Sequence, residues 1–165
     1  MRRWTRILET TTNIAVLVLC CGIGFLLIRN SLFVKSLPFQ QSSLIGTRLN
    51  ISGVSWNESS PTVVLALSTQ CHFCSESSPF YKLLSQSAAE KHRRVIAVFP
   101  QRVEESKDYL SGKDLRFDQV VSLPLDEVHA SGTPTVFLVD NTGKITATWV
   151  GKLQADKEHE ILSKL

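Results

Sequence analysis

Residues 62–74 read Thr62-Val63-Val64-Leu65-Ala66-Leu67-Ser68-Thr69-Gln70-Cys71-His72-Phe73-Cys74, and the rest of the chain is interpreted from them. The first six are β-branched or apolar without alternation, the pattern of a strand buried on both faces. Two cysteines spaced C-x-x-C follow at once. Beyond Cys71, apolar residues recur at Phe73, Phe80, Leu84 and Ala88, a stripe of helical period that ends before the basic run Lys91 to Arg94. The cysteine pair is therefore expected where a buried strand passes into a helix.

Working outward, residues 95–99 form a second buried-type strand stopped by Pro100, and residues 103–110 a polar helix closed by Gly112. A shorter strand is expected over 119–123. Residues 135–139 and 144–150 read as two further strands joined by Asp140-Asn141-Thr142-Gly143, a hairpin turn signal. A final helix covers 155–165, with Asp156 as its expected cap and Ile161, Leu162 and Leu165 as its apolar face. Upstream, residues 44–54 contain Gly46 and Gly53 and suit a short strand or hairpin. The order describes an α/β sandwich whose sheet mixes parallel and antiparallel strands.

The chain has 165 residues and a net charge of +3, enough for one globular domain plus an anchor. Its basic residues are scattered without interleaved aromatics, which argues against a nucleic-acid partner. Residues 14–28 are uncharged and nearly all apolar; extended back to Thr10 they make about 19 residues, roughly 28 Å of helix. Arg2, Arg3 and Arg6 precede the run, against Arg29 and Lys35 after it, so residues 1–13 are expected in the cytoplasm and the remainder outside it. No small-residue cleavage site follows Ile28, which favours an uncleaved anchor over a signal peptide. Residues 29–43 read as a linker and residues 44–165 as the domain. Cys20 and Cys21 lie within the apolar run and read as small apolar residues.

The thiolate is the form that attacks a disulfide, and the start of a helix favours it through unpaired N–H groups and the positive end of the dipole. Cys71 is thus the expected nucleophile. Cys74, one turn further in, is its sheltered partner, placed to resolve a mixed disulfide. His72 between them is expected either to stabilise the thiolate further when protonated or to stand as an exposed loop residue. A zinc ribbon would need further Cys or His ligands at the right spacing, and a haem attachment site would need His where Ser75 stands.

Three features in order, Cys71-His72-Phe73-Cys74 after a buried strand, Pro79 five residues beyond, and Gly132-Thr133-Pro134-Thr135 before a strand, resemble the thioredoxin superfamily. Within it they resemble the membrane-anchored bacterial thiol-disulfide oxidoreductases of the cytochrome c maturation and peroxiredoxin-like group. The resemblance spans residues 44–165. It implies a thioredoxin-like sandwich, a kink at Pro79, a cis-proline at Pro134 beside the dithiol, and a Thr133 peptide that pairs with substrate backbone. It also implies departures: Gln70 stands where Trp is common, and Leu65 where thioredoxins carry a buried acid, so that Glu76 is expected either to substitute for that acid in tuning the thiols or to be a solvated first-turn acid that suits the dipole.

The expected activity is thiol-disulfide exchange on exported protein thiols and disulfides. No metal or organic cofactor is expected. The expected location is the cytoplasmic membrane, single-pass, with the domain on the periplasmic side and a membrane redox donor or acceptor as a further partner. Two alternatives stand beside it. A peroxiredoxin-like peroxidase is suggested by the hydroxyl of Ser68, three residues before Cys71, though Val64 stands where peroxiredoxins place proline. A Cu(I) metallochaperone would use both cysteines and His129.

Overall fold

A computed structural model describes Gly22, residues 44–56 and residues 61–165. Apart from Gly22, the expected cytoplasmic segment, anchor and linker lie outside the described residues, as do Cys20 and Cys21. Among the described residues no helix is long and apolar enough to cross a membrane.

The chain runs β1 (Thr62–Ala66), α1 (His72–Glu76), α2 (Ser78–Glu90), β2 (Arg94–Phe99), α3 (Val103–Ser111), β3 (Gln119–Ser122), β4 (Thr135–Val139), β5 (Ile145–Val150) and α4 (Ala155–Lys164). The sheet order is β3-β2-β1-β4-β5. β1, β2 and β3 are parallel; β4 is antiparallel to β1, and β5 to β4. The continuous apolar run of β1 follows from its central place, since every one of its residues is buried.

Alternation within β1 assigns its side chains to two cores. Val63, Leu65 and Leu67 join Phe80, Tyr81, Leu84, Leu110 and Ile161, so all the long helices contribute apolar residues to this cluster. Val64 and Ala66 join Leu49, Ile51, Trp56, Val128 and Ala130, and here the cover comes from non-helical chain. The expected strand or hairpin over 44–54 is not present. In its place a single bridge, Arg48 to Lys144, forms, and Gly46 N–H and Leu49 N–H donate to the carbonyls of Ile145 and Gly143. Positive φ values at Gly46 and Gly53 turn the chain before a ladder can extend.

The helix that follows Cys71 is interrupted at Ser77, which caps α2 with Pro79 in its first turn. The i→i−4 ladder survives on both sides, because Ser77 N–H reaches the Phe73 carbonyl and Tyr81 N–H the Ser77 carbonyl. Pro79 has no N–H for the Ser75 carbonyl. The hydroxyl of Ser78 replaces it, donating to that oxygen at 2.7 Å. The Asp140 turn forms as expected, with Asp140 Oδ1 accepting from the N–H groups of Thr142 and Lys144. Asp156 is not the cap of α4: Gln154 holds that position without a side-chain bond, and Asp156 lies in the first turn, where its charge suits the dipole.

Candidate active site

β1 runs out at the carboxyl end of the central strands, with Leu67 N–H bonded to the Val98 carbonyl as its last rung. Residues 68–71 then turn, Cys71 N–H donating to the Ser68 carbonyl at 3.2 Å. The turn is fastened to the chain that follows β2. Gln101 donates from Nε2 to Ser68 Oγ at 3.0 Å and accepts from Thr69 N–H at 3.3 Å, while Thr69 Oγ1 donates to Glu105 at 2.8 Å. Ser75 and Tyr109 hydroxyls meet at 3.2 Å, tying α1 to α3.

Cys71 is the N-cap of α1, in extended backbone conformation. Its sulfur does what a capping oxygen normally does, accepting from Cys74 N–H at 3.1 Å. Both cysteines are free thiols; Cys71 is half-buried and Cys74 is 1% exposed. Burial first, and the hydrogen bond with Cys71 second, push the Cys74 thiol up to about 12. The two sulfurs are therefore unequal: one meets solvent at a helix start, the other is held in the core behind it.

Across from the dithiol, Cys71 Sγ donates to the Thr133 carbonyl at 3.4 Å, and the Thr133–Pro134 peptide is cis. The Pro134 carbonyl is held by Gly151 N–H at 2.7 Å, which links this loop to the end of β5. The next residue, Lys152, reaches Glu76 at 2.9 Å, and Glu76 accepts His72 on its other oxygen at 3.1 Å. Lys152 first, and His72 after it, hold the Glu76 carboxyl below the usual carboxylate range. All three side chains are exposed, so Glu76 is a solvated surface acid rather than a buried substitute for one. Leu65, at the position where the resemblance implies a buried acid, is fully buried and apolar. Phe73, which the helical stripe placed in the core, is 52% exposed beside Cys71, and Cys74 is the residue of that first turn that is buried.

The two alternatives meet specific obstacles. Ser68 Oγ is engaged by Gln70 N–H and Gln101, not by Cys71. His129 is exposed, with a left-handed backbone, and among the described residues no three His, Cys, Asp or Glu side chains gather as a metal site would require. Sequence reasoning passed over Gln101, Glu105, Tyr109 and Lys152, all of which reach the site from other elements.

No family model and no curated protein matches the sequence. Solved structures do. The thiol:disulfide interchange protein DsbE of Chlorobium tepidum superposes with a TM-score of 0.59 at 21% identity, over 72% of this chain and 96% of that one. The chain has the thioredoxin-like fold. A thiol-disulfide isomerase of Corynebacterium glutamicum gives 0.57 at 18% identity, over 73% and 91%, and StoA of Bacillus subtilis 0.53 at 20%, over 64% and 84%. At these identities the likeness is one of fold. The thioredoxin-like frame accounts for the shared sheet end on which β1, the cis-proline loop and α1 converge.

Proposed function

We propose that the protein is a thiol-disulfide oxidoreductase acting on exported protein thiols and disulfides, with Cys71 and Cys74 as its redox pair. The observation that carries the reading is the asymmetric dithiol: Cys71 at the helix start, backed by buried Cys74 and faced by the Thr133 carbonyl. Cys71 as thiolate attacks a substrate disulfide, one substrate sulfur leaves as a thiolate, and Cys71 holds the other in a mixed disulfide. Cys74, having lost its proton, attacks Cys71 Sγ; the Cys71–Cys74 disulfide forms and the second substrate sulfur leaves and is protonated by solvent. Run backwards, the same steps oxidise a dithiol. The Thr133–Pro134 peptide orients the partner backbone, and His72, next to Cys71, adjusts the balance between thiol and thiolate, with exposed Glu76 contributing little.

The anchor belongs to the same proposal. Residues 14–28 hold residues 44–165 outside the cytoplasmic membrane through the linker 29–43, within reach of a membrane redox donor or acceptor. The test is disulfide exchange by the full chain. Cys71→Ser is expected to abolish it, and Cys74→Ser to stop after one turnover with substrate trapped on Cys71; full exchange by Cys71→Ser refutes the reading. A reduction potential of the pair of about −270 mV assigns a reductase, and one of about −120 mV an oxidase.

A further inference from the structure

Cys74 must ionise in a place that water does not reach. It is 1% exposed, and the strand residue on its side of the sheet where an acid would help is Leu65. A buried thiolate is stabilised only by donors the protein supplies.

Tyr81 lies in the same buried cluster, and it too is 1% exposed. The helical ladder through Ser77 is intact, so positions 74, 77 and 81 follow one another on one face of α1 and α2, and all three are buried. The phenol oxygen makes no hydrogen bond among the described residues, although the Ser77 hydroxyl is close enough to act on it. An unpaired buried hydroxyl is destabilising and needs a reason. Tyr109, the other phenol near the dithiol, is already paired with Ser75.

We infer that Tyr81 is a positioning residue for the resolving step, its hydroxyl donating a hydrogen bond toward Cys74 when that sulfur ionises. The inference rests on the exchange reading proposed above. Burial, and next the charge of Cys74, raise the phenol above its ordinary range, so it stays protonated and acts as a donor, never as a base. The balance of the step is unchanged by it. Cys74 gives its proton to the substrate thiolate released in the first step, its electron pair forms the bond to Cys71 Sγ, the bond from Cys71 to the second substrate sulfur breaks, and that sulfur leaves with the electron pair. Tyr81 keeps its proton throughout.

The experiment is rapid-quench kinetics on the full chain with a disulfide-bonded peptide, separating formation of the Cys71 mixed disulfide from its resolution. Tyr81→Phe removes one oxygen and keeps the ring. The expected result is formation at the wild-type rate, resolution slowed about tenfold or more, accumulation of the mixed disulfide, and a melting temperature unchanged or raised. Resolution at the wild-type rate overturns the inference. Equal slowing of both steps overturns it too, as does loss of the folded state, since either would make the hydroxyl a structural group. A wild-type chain that forms no mixed disulfide at Cys71 fails differently, and takes the exchange reading down with it.

Discussion

The contact between Ser78 and Ser75 shows, in measurable terms, how the cysteine-bearing helical segment tolerates its proline. Ser78 Oγ donates to the Ser75 carbonyl at 2.7 Å, the acceptor that an N–H at position 79 would otherwise serve. Removing the hydroxyl alone leaves that carbonyl in a partly buried turn without its donor, a loss of about 1 kcal/mol. Pro79→Ala restores an N–H and sits in the first turn of α2, where either residue is tolerated, so its own effect should be small. In the double variant the restored N–H supplies the bond, and Ser78→Ala should then be nearly free. The cycle predicts a coupling energy of about 1 kcal/mol between adjacent positions. With a urea slope of about 1.5 kcal/mol/M, Ser78→Ala alone should lower the unfolding midpoint by roughly 0.7 M, and by much less in the Pro79→Ala background. Equal shifts in both backgrounds would refute the substitution of hydroxyl for N–H.

Gly143 has φ +85, and a Cβ there would lie 2.9 Å from Trp56 Cδ1, so Gly143→Ala should cost about 2–4 kcal/mol, checked by thermal melting. In the reduced protein the unfolded Cys74 thiol ionises from about 9.0 and the folded one at about 12, so the folded state keeps a proton the unfolded chain releases. Stability should therefore fall as pH rises through that window, and Cys74→Ala, compared by chemical denaturation, should lack that part of the decline. Glu76→Gln breaks contacts to His72 and Lys152 that are all exposed, so the exchange rate should change by less than about threefold; a larger change would show the network governing the dithiol.

The elements most legible in the sequence were those whose burial is uniform or whose turn chemistry is strict. β1, β2 and the Asp140 hairpin fall where the apolar runs and the Asp-Asn-Thr-Gly signal put them, and the cysteines stand at the expected strand-to-helix junction. Helical periodicity misled at Phe73, because in the first turn the buried position is Cys74 and Phe73 is left exposed. Residues 44–54 misled for a different reason. Their apolar positions, Leu49 and Ile51, do enter the core, but as cover for the second face of the sheet and not as a strand in it. Burial was readable there; hydrogen-bonded pairing, which depends on what lies alongside, was not.

The site's remaining members follow from topology rather than from motif. Ala66 pairs with Val98 in the parallel direction and with Thr135 in the antiparallel, and Thr135 pairs with Val150. Those registers bring four chain segments to one end of the sheet: the turn into Cys71, the stretch after β2, the Thr133–Pro134 loop and the stretch after β5. Each supplies a contact there. Gln101 braces Ser68 and Thr69, the Thr133 carbonyl meets Cys71, and Gly151 and Lys152 join the cis-proline loop to Glu76. Gln101, Gly151 and Lys152 carry no local signature, yet each occupies a position dictated once strand order and direction are known. A nucleophile placed after the carboxyl end of a central strand is therefore flanked by whatever follows its parallel neighbour and precedes its antiparallel one. Substitutions at Gln101 or Lys152 should accordingly act through the position of the dithiol loop, while the chemistry itself stays with Cys71 and Cys74.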